Sequence, residues 1–295
     1  MFVIKHIPED FKVKEKSTVK IENKGKYTYF ELKKKNWNTI NALKKIAKTL
    51  NTKLAWIGFA GNKDKKAITT QVCSIKKHIK KNMQFDGFEI RILGYGNEPV
   101  HLGNLKGNEF EITVRNIEKK PKINKKFVNY YGEQRFGTNN AETGKAIVKR
   151  NFKKAAELLK IKGTNYISEL RKIPKKQLVF YVHAYQSKLW NKAAEQAKNL
   201  KELPIIGFGT EKIDKYTKKI LEQEKIKPRD FIIKELPEAS SEGGTRKIHA
   251  KAENLKIGKL EEDEYFQGKK KITLKFFLAK GSYATEFIKQ NFHQQ

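Results

Sequence analysis

The sequence predicts a sheet-and-helix domain, α/β or α+β, interrupted by a helical insertion. Alternating apolar and polar residues mark strands in the first third of the chain and again near its end. From residue 141 to about residue 225 the apolar residues recur at helical spacing instead. Strands, then helices, then strands is the order expected when a chain leaves one domain, builds a second and returns.

The elements follow in order. YTYFEL (27–32) and FEIRIL (88–93) alternate as strands. Between them Trp37, Ile40, Leu43, Ala47 and Leu50 recur every three or four residues, which predicts an amphipathic helix with Asn36 or Asn38 as N-cap. FAGNKDKK follows as a loop and AITTQVCSI (67–75) as a strand. FEITVRNI (110–117) turns Phe110, Ile112 and Val114 inward. In the helical block the longest candidate is KQLVFYVHAYQSKLWNKAAEQAKNL (176–200), flanked by Pro174 and Pro204, with Leu178, Val182, Tyr185, Leu189 and Ala193 on one face. PEASSEGGTRK (237–247) reads as a loop where the chain re-enters the first domain. KIHAKAENLKI (247–257) and KITLKFFLA (271–279) read as strands, the latter with Ile272, Leu274, Phe276 and Leu278 on one face.

With 295 residues, the chain is long enough for one large domain or two modest ones. It carries 64 Lys+Arg against 32 Asp+Glu, a net charge of +32. Such an excess favours a polyanionic partner through counterion release: RNA, DNA or an anionic membrane. Membrane is the weakest of these, because the longest apolar runs, such as LVFYV at 178–182, are far too short to span a bilayer. MFVIKHIPEDF lacks the pattern of a signal peptide. Cys73 is the only cysteine, so an internal disulfide and a cysteine-based zinc site are excluded. The six histidines (6, 78, 101, 183, 249 and 293) have no ligand spacing. These features describe a cytoplasmic, metal-free protein. Only seven of the basic residues are Arg, and where a lysine-rich chain still uses Arg a bidentate fork is a reason to keep it; Arg135 and Arg246 stand out on this ground.

Four stretches can carry chemistry. GFAGNKDKKA places one acid, Asp64, among Lys63, Lys65 and Lys66 and after two glycines. Lysines favour its charged form and can hold phosphates; on spacing alone an ordinary charged turn is the favoured reading. HLGNLKGNEF (101–110) brings Asn108, whose amide can read a base edge, next to Phe110, which can stack on a base. A turn residue and a core residue are the structural alternatives. In NYYGEQRFG (129–137), Arg135 can pair with Glu133 or clamp a phosphate. In FFLAKGSYATEFIK (276–289) a core strand runs into a turn before a helix, with Tyr283 at the junction, over a cleft or packed on the sheet.

Taken in this order, the stretches resemble the TruD family of tRNA pseudouridine synthases. FAGNKDKKAITTQ and NYYGEQRFG carry the resemblance most specifically. KHIPEDFKVKE (5–15), HLGNLKGNEF, HAYQSKLWNKAA (183–194), GGTRK (243–247) and FFLAKGSYAT extend it over nearly the whole chain. The helical insertion is short and the lysine coat dense for that family. The resemblance implies an α+β pseudouridine synthase fold, a mixed, mostly antiparallel sheet flanked by helices. Its catalytic domain would be residues 1–145 plus 246–295, with a mainly helical TRUD domain inserted at 146–245. It implies an isomerase that turns a tRNA uridine, by default uridine 13, into pseudouridine without cofactor or metal. Asp64 matches the catalytic aspartate and Lys5 a lysine that sits against it. Phe11, Asn108, Phe110 and Tyr283 match positions around the flipped base, and Arg135 joins them as a substrate-binding residue. The expected partner is tRNA and the expected state a monomer. The rival readings are a non-catalytic RNA-binding protein on the same fold, which gains nothing from a lone carboxylate facing phosphates, and a nuclease, which would need clustered acids or paired His.

Overall fold

The computed structural model describes residues 1–292; His293 and the two residues after it lie outside the described part. The chain forms two compact units. The first comprises Met1–Lys125, Lys251–Ala284 and the described residues from Ile288 to Phe292; the second comprises Lys126–Ala250 with Thr285–Phe287. The unit boundaries therefore group residues 126–145, including NYYGEQRFG, with the helical block.

The first unit is built on a nine-stranded sheet. Its strands are β1 (Phe11–Ser17), β2 (Tyr27–Lys35), β3 (Ile57–Phe59), β4 (Ile68–Ile75), β5 (Met83–Phe85), β6 (Phe88–Gly96) and β7 (Leu105–Ile117). β12 (Glu253–Glu262) and β13 (Lys270–Ala279) complete it after the second unit. The spatial order is β12-β13-β7-β1-β4-β2-β6-β5, with β3 paired to β4. Every pairing is antiparallel except β1 with β4. Helix α1 (Thr39–Thr49) is capped by Asn38, whose side chain accepts from the amides of Ile40 and Asn41. It buries Ala42, Leu43, Ile46 and Ala47 against Phe30, Leu32, Cys73 and Ile75 of the sheet. This apolar stripe, not helix propensity, holds the short helix in place.

Strand β1 is absent from the sequence reading, although it sits in the middle of the sheet. Its inward residues are Phe11, Val13 and Glu15, all at most 7% exposed. A glutamate at an inward position hides the alternation. The segment read as one strand over 247–257 is three: β10 (Gly244–Lys247), β11 (His249–Lys251) and β12. β10 also occupies the end of the stretch read as a re-entry loop. The opposite face of the sheet carries charged ladders such as Lys12–Glu111–Lys275 and Lys16–Glu109.

The second unit contains β8 (Lys126–Val128), α2 (Asn140–Val148), α3 (Phe152–Leu158), α4 (Tyr166–Arg171), α5 (Lys175–Gln196), β9 (Glu202–Ile205) and α6 (Lys215–Glu224). β10 pairs with β9 and β11 with β8. The 22-residue α5 is its axis; Leu178, Val182, Tyr185, Leu189 and Ala193 are at most 2% exposed. The last helix, α7 (Ala284–Phe292), follows the turn after β13. Among the described residues no helix is long and apolar enough to cross a membrane.

Candidate active site

The loop after β3 is pinned from several directions. Gly58 lies so close to the next segment that a Cβ would stand 2.4 Å from the Val100 carbonyl oxygen. The Lys63 amide donates to Thr39 Oγ1 at 3.1 Å, and Gln71 Nε2 donates to the Gly61 carbonyl at 3.1 Å. Lys34, 1% exposed, donates from below to the Asp64 carbonyl oxygen at 2.7 Å. The Lys63 side chain turns back into the sheet and pairs with Glu15 at 2.5 Å, both side chains at most 8% exposed. Lys63 is thus an anchor of the loop, whereas Lys65 and Lys66 face solvent.

With its backbone fixed, Asp64 presents its carboxylate to Lys5. Lys5 Nζ lies 2.7 Å from Asp64 Oδ2, and the side chains keep 16% and 28% of their exposure. Lys5 has a left-handed backbone (φ 60°), which costs an L-residue about 1–2 kcal/mol. Neighbouring bonds sustain it. Val3 and Arg115 exchange backbone hydrogen bonds at 2.9 and 2.8 Å, and the Ile7 amide donates to Asp10 Oδ2 at 3.1 Å. Asp10 in turn accepts from the Arg115 guanidinium at 2.9 and 3.0 Å. Arg115, 3% exposed, also pairs with Asp263 and Glu264, and so ties the N-terminal segment to the β12–β13 hairpin.

Lys5 Nζ sits 4.1 Å from the centroid of the Phe11 ring, a cation–π contact. Phe11 meets Phe110 edge-on at 6.0 Å, and Phe110 stacks on Phe276 at 5.5 Å. Phe11 is 2% and Phe110 9% exposed, so both rings pack in the sheet, Phe11 also against Lys5 of the ion pair. Asn108 lies two residues before Phe110, opposite Glu15 in the β1–β7 register. Its Oδ1 is buried and has no hydrogen-bond partner among the described residues. A buried unpaired carbonyl costs about 1–3 kcal/mol, which a ligand N–H would recover. Leu278 of β13 also pairs with Asn108, so the turn carrying half-buried Tyr283 leaves the sheet at this same end.

Arg135 belongs to the second unit. Its guanidinium lies 5.1 Å from the Phe180 ring centroid and 5.9 Å from that of Tyr131, and Nε donates a long 3.4 Å bond to Ser187 Oγ. Among the described residues no carboxylate forms an ion pair with it. A cavity of about 160 Å³ opens there, lined by Tyr131, Arg135, His183, Gln186, Gly243 and Gly244. Burial and then the Arg135 charge push the His183 imidazole below its ordinary value. Arg246 has a structural task instead. It donates to the Asn129 carbonyl at 3.0 and 2.8 Å and lies 4.0 Å over Tyr131.

Contacts thus link Lys5, Asp64, Phe11 and Phe110 in the first unit, with Asn108 two residues before Phe110 on the same strand. Sequence reasoning missed Glu15, Lys34 and Arg115. For Lys34 a signal existed: in FELKKK it continues the inward series Phe30, Leu32 at period two. A larger groove of about 520 Å³ lies on the other face of the sheet. Its acids, Glu109 and Glu111, are bound in lysine ladders and have no role in the site.

Comparison with known proteins places this fold among the tRNA pseudouridine synthases. The family model "tRNA pseudouridine synthase D (TruD)" matches residues 2–163 and 201–290, and the chain belongs to this family. The stretch left out, 164–200, holds α4 and α5. A tRNA pseudouridine synthase D of Aquifex aeolicus is 29% identical, over 98% of this chain and 97% of its own. A protein of Nanoarchaeum equitans named "Probable tRNA pseudouridine synthase D" is 30% identical over 98% of each chain. A crystal structure from Methanosarcina mazei named "Putative tRNA pseudouridine synthase D (TruD)" superposes with a TM-score of 0.72 at 25% identity, covering 98% of this chain and 93% of that one. The α+β sheet with its inserted helices is therefore the pseudouridine synthase fold.

Proposed function

We propose that this protein isomerises uridine 13 of tRNA to pseudouridine, with Asp64 as the catalytic carboxylate and no cofactor. The observation that carries the reading is the 2.7 Å Lys5–Asp64 pair beside Phe11 and Phe110, with a buried, unpartnered Asn108 oxygen in the same face. In the reaction the N1–C1′ bond of uridine breaks, the uracil turns, C5 bonds to C1′, the C5 proton leaves and the freed N1 takes up a proton. Atoms and charge balance without an oxidant, which fits an aspartate acting as nucleophile or base. Lys5, 2.7 Å from the carboxylate, holds it aimed. The aromatic row and Tyr283 hold the detached uracil, and Asn108 reads its polar edge. The target base must leave its stack, at a cost of a few kcal/mol. Phosphate contacts from the lysine-rich surface offset that cost.

We assign catalysis to the sheet unit and tRNA grip to the inserted helical unit, where Arg135 meets a backbone phosphate. We assign to it a monomeric state and a cytoplasmic location, the latter in keeping with its substrate class. The test is pseudouridine mapping on tRNA after incubation with the protein, together with tritium release from tRNA labelled at uracil C5. Wild-type protein should modify uridine 13. Asp64→Asn should bind tRNA and release no tritium; full turnover by that variant would remove Asp64 from the chemistry.

A further inference from the structure

Lys34 lies under the Asp64 loop with no direct contact to the cleft. It is 1% exposed, at a β2 position where Phe30 and Leu32 have set an apolar series. Its ammonium donates to the Asp64 carbonyl at 2.7 Å and approaches the Lys63 carbonyl at 3.5 Å. Among the described residues no carboxylate forms an ion pair with it, so a full charge is buried on neutral acceptors. That is costly unless the charge has a task. The charged groups facing it are Asp64 and Lys63, both from the loop. The paired strands place Thr69 and Phe88 beside it. Helix α1 contributes Thr39, whose hydroxyl donates to the same Lys63 carbonyl, and none of these three carries a charge.

We propose that Lys34 is a positioning residue for Asp64. The ammonium ties the 63–64 backbone to the sheet, and its charge stands behind the carboxylate. The loop then presents Asp64 correctly only while Lys34 is protonated. This rests on the reading that Asp64 carries the chemistry. Burial is the main influence on Lys34 itself and pushes it down to about 8, Asp64 opposing and Lys63 adding to the effect. Activity should therefore have an alkaline limb near that pH. Stability should move the other way. Between pH 8 and the ordinary lysine value the unfolded chain binds more protons than the folded one, so this group favours folding more as pH rises.

The test is single-turnover pseudouridine formation from pH 6.5 to the point where uracil itself ionises, in wild type, Lys34→Met and Lys34→Arg, with tRNA affinity and melting temperature measured alongside. Wild type should lose rate above about pH 8. Lys34→Met should be about 10- to 100-fold slower at neutral pH, with tRNA affinity within about twofold and no loss of melting temperature. Lys34→Arg, which keeps its charge, should recover part of the rate and move the limb upward. A Lys34→Met variant with wild-type rate and limb overturns the proposal. Should that variant fail to fold, a flat wild-type profile, or an unmoved limb in Lys34→Arg, overturns it equally. Asp64→Asn separates the two readings: if that variant turns over fully, the site assignment itself has failed, whereas an inactive Asp64→Asn beside an indifferent Lys34→Met rejects Lys34 alone.

Discussion

Lys5 Nζ and Asp64 Oδ2 meet at 2.7 Å although 59 positions separate them in the chain. The N-terminal segment and the β3–β4 loop approach the same end of β1, and the Phe11 ring at 4.1 Å limits how far the ammonium can stray. Removing the charge takes away the ammonium that stands 2.7 Å from the carboxylate. Lys5→Met should reduce the single-turnover rate by about 100-fold while tRNA affinity stays within about twofold, measured by filter binding. Wild-type rate in that variant would show that the pair is merely an exposed ion pair.

Asn108 offers a clean separation of binding from folding. Its Oδ1 makes no hydrogen bond among the described residues, so Asn108→Ala should leave the melting temperature unchanged or slightly raised. The loss should appear in kcat/KM, at about 1–3 kcal/mol or roughly 10- to 100-fold. Phe110→Ala should behave otherwise, because the ring is 9% exposed and stacked on Phe276. It should cost about 3–5 kcal/mol of stability as well as activity. Equal and unchanged kinetics in the two variants would return both residues to packing.

Arg115 joins Asp10, Asp263 and Glu264 in an ion-pair network, the guanidinium side chain 4% exposed. Truncating it strands buried carboxylates. Arg115→Leu should destabilise the protein by about 3–5 kcal/mol in denaturant titration. It should also lower activity, because the Lys5 segment hangs on Asp10 and on the backbone of Arg115. A midpoint shift below about 1 kcal/mol would contradict this.

Glu224 clamps three helices of the second unit, accepting from Lys145 of α2 at 2.8 Å and Lys192 of α5 at 2.6 Å. Burial works against its charge, but the two lysine hydrogen bonds outweigh burial and hold the carboxyl down to about 2. A depressed carboxyl stabilises the fold fully above its unfolded value, and that contribution is lost as pH falls toward about 2. Both ammoniums reach solvent, so the expected contribution is about 1–2 kcal/mol. Glu224→Gln should lower the melting temperature at pH 7 and bring it closer to wild type at pH 3. An equal deficit at both pH values would exclude this ionisation as the cause.

What the sequence by itself determined is considerable. The inward series of β13, the buried stripe of α5 and the Asn38 cap of α1 are periodic or local signals, and each survives folding because no distant partner is needed to define it. Asp64 was visible only as one acid among lysines and glycines, a spacing that an ordinary charged turn also fits; the resemblance, not the spacing, singled it out. The tertiary structure alone decided the rest. β1 escaped because Glu15 occupies an inward position, and that burial makes sense only once Lys63 reaches back to neutralise it. The period-two series Phe30, Leu32 points Lys34 inward, but nothing local says what would accept its ammonium; the Asp64 carbonyl comes from a loop about 30 residues away. Local pattern fixes which way a side chain points along its strand. Whether a charge pointing inward is tolerated depends on the partner that folding delivers, and a partner distant in the chain leaves no periodic trace.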